Sequence, residues 1–335
     1  MIPFLPNFKN QFSKDTFSVG LDIGSSAVKI VKLKLLKDSV EFCGFGLEPA
    51  QAGLDILLKR WDVKKVNLSV SGPSTIIRYA GFPKMEESEL KNALKFEAQK
   101  YIPFSIEEVN LDAVILKSNL PDNKILVALS AVKKDFMNQR LNLFKDRSVE
   151  INLIDMDSFA LINAFNFNYP AKENSRSVAL LNVGAALSSL NILEDGIPVL
   201  SRDILIAGNN FTQKIMDIFG LNFKFAEELK INPVQEKKEE LAQAMEIVFS
   251  NLANEVRISM DYCESQSACN VEKIFLSGGT SLLPGLKDSL STLLGIQVEY
   301  WDPLKQIKFS DDIDSVKVKQ LSGQLAVAIG LALRR

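Results

Sequence analysis

The residues best placed to do chemistry sit in one short pattern that occurs twice. Leu21-Asp22-Ile23-Gly24-Ser25-Ser26-Ala27 and Leu181-Asn182-Val183-Gly184-Ala185-Ala186-Leu187 both read Leu, Asp or Asn, β-branched, Gly, small, small, apolar. Each joins one strand-like segment to another. A tight turn of small residues presents several backbone N–H groups on one concave side, and such a nest binds anions, phosphate above all. Two nests from two half-chains can clamp one polyphosphate. A third Gly-rich turn, Ser277-Gly278-Gly279-Thr280, follows the short run Lys273 to Leu276. A single short Gly motif is most often a plain turn. The repetition is what points beyond that.

Several other chemistries are excluded. The chain contains no His, which removes every mechanism with a histidine base and the commonest metal ligand. Cys43, Cys263 and Cys269 form no CxxC and imply neither a zinc site nor a disulfide framework. Lys plus Arg number 39 against 41 Asp plus Glu, a balance of −2 that gives no support for nucleic-acid binding. Neither GxxxxGK[ST] nor a helix-opening GxGxxG is present. The 335 residues, 47% apolar, suit about two globular domains.

The elements that must position these turns follow from periodicity. Phe17 to Asp22, Val28 to Leu35, Val40 to Gly44 and Val66 to Val70 read as strands, with a helix over Gln51 to Trp61. From Val178 the pattern restarts with strands at Val178–Val183, Ser188–Leu193 and Val199–Ile204, then a helix through Phe211 to Phe219. A long helix covers about Glu239 to Ser265, and a final apolar helix runs through Val318 to Ala332. Within the first half, Gly81-Phe82-Pro83 reads as a break. A helix over Glu86 to Tyr101 follows, with Glu86, Glu87 and Glu89 in its first turn. Strands near Asn110 to Lys117 and Lys124 to Ser130 and a helix over Lys134 to Asp146 complete a small inserted module. The expected organisation is an arm at 1–16 and a first half at 17–176. In that half, 17–76 and 150–176 form the core and 77–149 the insertion. A second half at 177–315 carries a helical subdomain at about 220–270, and a helix at 316–335 returns to the first half.

With these residues on the page, the chain resembles the actin-like ATPase superfamily. Asp22-x-Gly24-Ser25-Ser26-x-x-Lys29 resembles its first phosphate motif, Asn182-x-Gly184-Ala185 its second, and Ser277 through Gly285 its adenosine motif. Within the superfamily the chain is similar to the PilM family of type IV pilus assembly proteins. Glu89-Leu90, Lys95-Phe96-Glu97-Ala98 and Tyr101-Ile102-Pro103-Phe104-Ser105-Ile106-Glu107-Glu108-Val109 carry that likeness, together with Arg257 to Tyr262 and Leu325 to Leu333.

The resemblance implies an α/β actin-like fold: two α/β halves around a nucleotide cleft, with a small inserted subdomain in the first half. It implies ATP and Mg²⁺ as cofactors. Asp22 would hold Mg²⁺ through water. Gly24, Ser25, Ser26, Lys29, Asn182, Gly184 and Ala185 would meet the phosphates. Gly278, Gly279 and Thr280 would meet the nucleoside, with Glu227 and Lys230 beside the ribose and adenine. Asp157 would orient an attacking water, or else serve as a helix N-cap. The family's second motif usually opens with Asp. Asn182 lacks that charge, so slow hydrolysis is expected at most. Tyr101, Ile102 and Phe104 are the expected partner surface, beside a groove for the cytoplasmic N-terminal peptide of PilN, a bitopic inner-membrane protein. A pilus motor ATPase and a second copy of the chain are further partners the resemblance allows. The expected place is the cytoplasm, peripheral to the inner membrane. The alternatives within the superfamily are an FtsA-like filament former and a sugar or metabolite kinase. An FtsA-like chain ends in an amphipathic membrane helix, whereas this sequence closes on Leu333-Arg334-Arg335.

Overall fold

The computed structural model describes residues 16–170, 177–267 and 269–334. The expected N-terminal arm therefore lies outside the described residues, except for Thr16, which opens the first strand. The first half begins with β1 (Thr16–Ile23), β2 (Ala27–Leu35), β3 (Val40–Pro49), α1 (Ala50–Trp61) and β4 (Lys65–Val70). Next come β5 (Thr75–Pro83), α2 (Glu87–Ala98), β6 (Val109–Leu120) and β7 (Lys124–Lys133). The half closes with α3 (Lys134–Asn142), β8 (Glu150–Met156) and α4 (Asp157–Asn168). The second half contains β9 (Ser177–Val183), β10 (Ser188–Glu194), β11 (Ile197–Ile204), α5 (Gly208–Phe219), α6 (Phe223–Ile231) and α7 (Lys238–Ser267). After it come β12 (Lys273–Ser277), α8 (Leu286–Leu294), β13 (Gln297–Tyr300), β14 (Lys308–Phe309) and α9 (Ser315–Ala332).

Two sheets carry the same topology. One runs β14-β3-β2-β1-β4-β8, the other β11-β10-β9-β12-β13. In each, an antiparallel three-strand meander is extended on one side by two parallel strands, and in the first sheet β14 adds one more beside β3. The sequence repeat is thus a repeat of architecture. Along β2, Val28 and Ile30 pack into one core and Val31, Leu33 and Leu35 into another, the opposite faces that a pleated strand presents.

The helices α4 and α9 lie between the two sheets. Their core unites Val31, Leu33 and Phe42 of the first sheet with Val178, Leu180 and Phe275 of the second, around Phe165, Leu325 and Ile329. That α4 is buried on nearly all sides agrees with this central position. Gly330 brings α9 against the Ala160 carbonyl of α4, and Gly20 of β1 meets the Ala328 carbonyl of α9. Asn67 donates to Leu331 O at 2.8 Å, and the Arg334–Asp155 pair at 2.8 Å is almost wholly buried.

The inserted sheet, β5-β7-β6, has its own core of Phe82, Leu90, Leu94, Ile125 and Leu129. Here one sequence expectation is corrected. Gly81-Phe82-Pro83 is no break; it is the end of β5, with Phe82 buried opposite Ile125 and Pro83 opposite Lys124. Proline is tolerated because β5 is an edge strand and Pro83 its last residue. Helix α2 begins one residue later than expected, with Glu86 as cap. The Glu86 N–H donates to the Glu89 carboxylate at 2.8 Å, half of a capping box.

Candidate functional site

The parallel strands β1, β4 and β8 all end at the same edge of their sheet, where α/β proteins place ligands. At that edge the first hairpin closes with Gly24 N–H donating to Ala27 O at 3.1 Å. Asp22 lies directly opposite Lys29, and Lys29 Nζ donates to Asp22 Oδ2 at 2.8 Å. The second hairpin repeats this closure, Gly184 N–H to Leu187 O at 3.0 Å. There Asn182 faces Ser189, so the ion pair of the first hairpin has an uncharged counterpart in the second. Ser25 and Ser26 at the first tip are largely open to solvent, as is Ala186 at the second.

The third turn reaches the second hairpin because β12 pairs with β9 in parallel, Ser277 beside Asn182. Ser277 Oγ donates to Asn182 Oδ1 at 3.2 Å, and Thr280 Oγ1 to Gly184 O at 2.7 Å. Gly278 has φ +94°, and a Cβ there would lie 2.3 Å from Val183 O, so only glycine fits. Gly279 differs: its nearest neighbour would be Gln324 at 3.9 Å. That is ordinary contact distance, and Gly279 is exposed.

Glu227 and Lys230 lie on α6 but face inward. Lys230, 6% exposed, donates to Glu227 at 2.6 Å, to Thr212 at 2.9 Å and to Gly208 O at 3.2 Å. Gly208 N–H in turn donates to Gly184 O at 3.0 Å. This network ties α5 and α6 to the second hairpin. Thr212 and Gly208 were not singled out in the sequence; nothing local marks them.

Asp157 is the first residue of α4, whose cap position is Met156. It is therefore not the N-cap. Ser69 and Ser71 hydroxyls donate to its carboxylate, while burial and the charge of Asp22 push its pKa up. Two carboxylates thus share the end of the first sheet. A cation there would relieve their repulsion, which fits Mg²⁺ held through water and phosphate oxygens. Among the described residues no group of three or more acidic, Cys or His side chains is disposed to grip a metal directly. Next to Asp157, Ser158 Oγ lies 3.0 Å from Ser189 Oγ of the second half. The first hairpin, the start of α4 and the second hairpin are thereby contiguous.

A cleft of about 720 Å³ opens beside Asp157 between the halves, lined by Gly72, Tyr79, Ser201 and Asp203 among others. Gly72 N–H donates to Asp203 Oδ2 at 2.8 Å, and Tyr79 OH lies 2.8 Å from Ser201 Oγ. Asp203 escaped the sequence reading because its partner is distant in sequence. Burial pushes its carboxyl up to about 6. A carboxyl raised above its unfolded value of about 3.9 costs stability once ionised. That cost is absent below about pH 4, grows between about pH 4 and 6, and persists above, where it reaches about 3 kcal/mol. Asp203→Asn is therefore expected to stabilise the protein at pH 8, with the gain shrinking as pH falls towards 4. Urea unfolding at several pH values checks this. A gain independent of pH would contradict it.

The expected partner residues Tyr101, Ile102 and Phe104 line neither this cleft nor the neighbouring groove. Tyr101 stacks near Phe82, ring centroids 5.7 Å apart, Ile102 is buried, and Phe104 lies under Lys133 Nζ at 4.9 Å. All three pack into the inserted module's own core. The groove beside them, about 830 Å³, is lined instead by Leu94 and Lys95 of α2, Ile106, residues 109–112 of β6 and residues 154–156 of β8. Val70 and Met156 line both this groove and the interhalf cleft.

The duplicated sheet order around α4 and α9 is the actin-like ATPase fold. A family model described as type IV pilus assembly protein PilM matches residues 56–335. Among solved structures, the chain is similar to a PilM-PilN type IV pilus biogenesis complex, with TM-score 0.84 and 27% identity over 94% of this chain and 97% of that one. It is also similar to the ethanolamine utilization protein EutJ from Carboxydothermus hydrogenoformans, with TM-score 0.52 and 12% identity over 97% and 92% of the two chains, a likeness of fold alone. Among the described residues no helix is long and apolar enough to cross a membrane.

Proposed function

The chain belongs to the PilM family of type IV pilus assembly proteins, and we propose that it is a nucleotide-bound adaptor for a PilN-like inner-membrane protein. The partner's cytoplasmic N-terminal peptide lies extended in the groove between α2, β6 and β8. That groove carries the reading, together with the similarity to a structure in which PilM is assembled with PilN. β6 and β8 are both edge strands of their sheets, so an extended peptide can add backbone hydrogen bonds there and seat alternate side chains in pockets. Through this partner the chain is held at the membrane surface.

The cofactor in this reading is ATP with Mg²⁺. The paired hairpins hold the phosphates, Asp22 the hydrated metal, and Gly278 and Gly279 the nucleoside. Asn182 offers hydrogen bonding without charge, so the nucleotide serves chiefly to fix the two halves against each other. Ligand binding stabilises that closed form by mass action.

The adaptor reading is tested by titrating the PilN-like N-terminal peptide into the full chain by calorimetry. Leu111 is half-buried on the groove wall. Leu111→Arg is expected to weaken binding about tenfold or more, a change of about 1.4 kcal/mol, with ATP affinity unchanged. Because Leu111 also packs against the module's core, a melting curve checks that the variant folds. Failure of the wild-type chain to bind the peptide would remove the adaptor reading.

A further inference from the structure

The charged groups along the groove differ in whether they already have partners. Lys91 pairs with Glu87 at 2.8 Å. Lys134 donates to Glu107 O at 2.5 Å, and the Glu107 carboxylate accepts from Ser105 at 2.6 Å. Asp155 is paired with Arg334. Asp112 stands apart. Its Oδ1 accepts from Ala113 N–H at 2.9 Å. Its Oδ2 is buried and has no hydrogen-bond partner among the described residues. Burial pushes its carboxyl above the ordinary range.

A buried acceptor left without a partner is costly, and more so when charged. Asp112 sits on the edge strand β6, on the wall of the cavity, where an incoming group can return that cost. A neutral donor would satisfy the oxygen and leave the charge in place. A cationic donor meets both demands with a charge-assisted hydrogen bond. The nearby lysines Lys91 and Lys134 are already engaged, and Lys95, exposed on α2, does not reach Asp112 Oδ2.

We propose that Asp112 is the specificity-determining residue of this groove. It selects a peptide that places one Arg or Lys side chain against Asp112 Oδ2 while its apolar residues cover Leu94, Ile106 and Ile154. The inference rests on the adaptor reading and adds to it the chemical class of the residue that the partner must present.

The test is a double-mutant cycle by calorimetry on the full chain. The probes are the PilN-like N-terminal peptide and versions in which each basic residue in turn is replaced by Met. Asp112→Asn keeps the size of the side chain and the bond from Ala113, and its melting curve checks the fold. For one basic position, peptide substitution and Asp112→Asn should each weaken binding about tenfold. Together they should weaken it no further than either alone. Asp112→Lys should bind worst, and should recover when that basic residue is changed to Glu. Purely additive losses at every basic position, or tighter binding by Asp112→Asn, would overturn the inference while leaving the adaptor reading intact. If the wild-type chain binds no peptide, both fall together.

Discussion

Asp22→Asn and Gly279→Trp are each expected to reduce ATP affinity by about 100-fold in the presence of Mg²⁺, about 2.7 kcal/mol. The two variants act on opposite ends of the nucleotide. Asp22 is buried at the first hairpin and paired with Lys29 at 2.8 Å. Asn keeps its shape and removes the negative charge that a hydrated Mg²⁺ needs. The same charge repels phosphate, and its loss frees Lys29 to meet the phosphates. Without Mg²⁺ the penalty of Asp22→Asn should therefore shrink sharply or reverse. Gly279 is exposed and a Cβ there would meet only Gln324 at ordinary contact distance, so an indole there is expected to project into the place of the nucleoside. Its penalty should not depend on Mg²⁺. Calorimetry with and without the metal separates the two effects, with melting curves to confirm that both variants fold. Wild-type affinity in both variants would refute the proposed nucleotide site.

Much of the scaffold was legible because it is written in local pattern. Each hairpin needs two alternating strands and a turn of small residues, and both are visible within a few positions of Gly24 and Gly184. The long helix was legible from Leu241, Met245, Val248, Leu252 and Val256, all buried on one face of α7. β5 was not, because Gly81 and Pro83 are turn residues in most contexts. Here pairing with β7 on one side alone overrides that preference. The site divided in the same way. Residues within the hairpins could be named, whereas Asp203 could not, since it faces Gly72 across the molecule. Glu227 and Lys230 could be named from the resemblance, but not their inward network, which depends on Thr212 and the Gly208 carbonyl some 15 to 22 residues away in sequence. Tyr101, Ile102 and Phe104 pack in the small module's core, a few residues away from those that line the groove. The aromatics of the Tyr101–Phe104 segment are large enough to be needed in the small module's own core. The cavity wall was left to Leu94, Ile106 and Leu111.

Gly330→Ala should be the most damaging single methyl group in the chain. An alanine in a helix interior is ordinarily about 1 kcal/mol better than glycine, so propensity alone predicts stabilisation. The packing predicts the reverse. A Cβ at 330 would sit 1.8 Å from Ala160 O and 2.4 Å from Ala160 C, and these are backbone atoms of α4, which cannot swing aside. α4 is itself wedged between both sheets, so relief requires moving α9 outward. Gly20 holds α9 on its other side, where the Ala328 carbonyl would lie 2.0 Å from an added Cβ. Overpacking of this kind costs about 1–3 kcal/mol and sometimes more, and the upper end is expected because backbone meets backbone. A net loss of about 2 kcal/mol or more remains after the gain in propensity. It should also weaken ATP binding, since the Gly323 carbonyl of α9 accepts from Gly278 N–H at 2.9 Å. Gly81→Ala is the control: its Cβ would meet only Lys124 Cδ at 3.6 Å, and no loss is expected. Denaturant unfolding of the three proteins decides the matter. If Gly330→Ala proves as stable as the wild type, α9 does not rest on α4 as closely as described, and the coupling of the two halves through this helix must be abandoned.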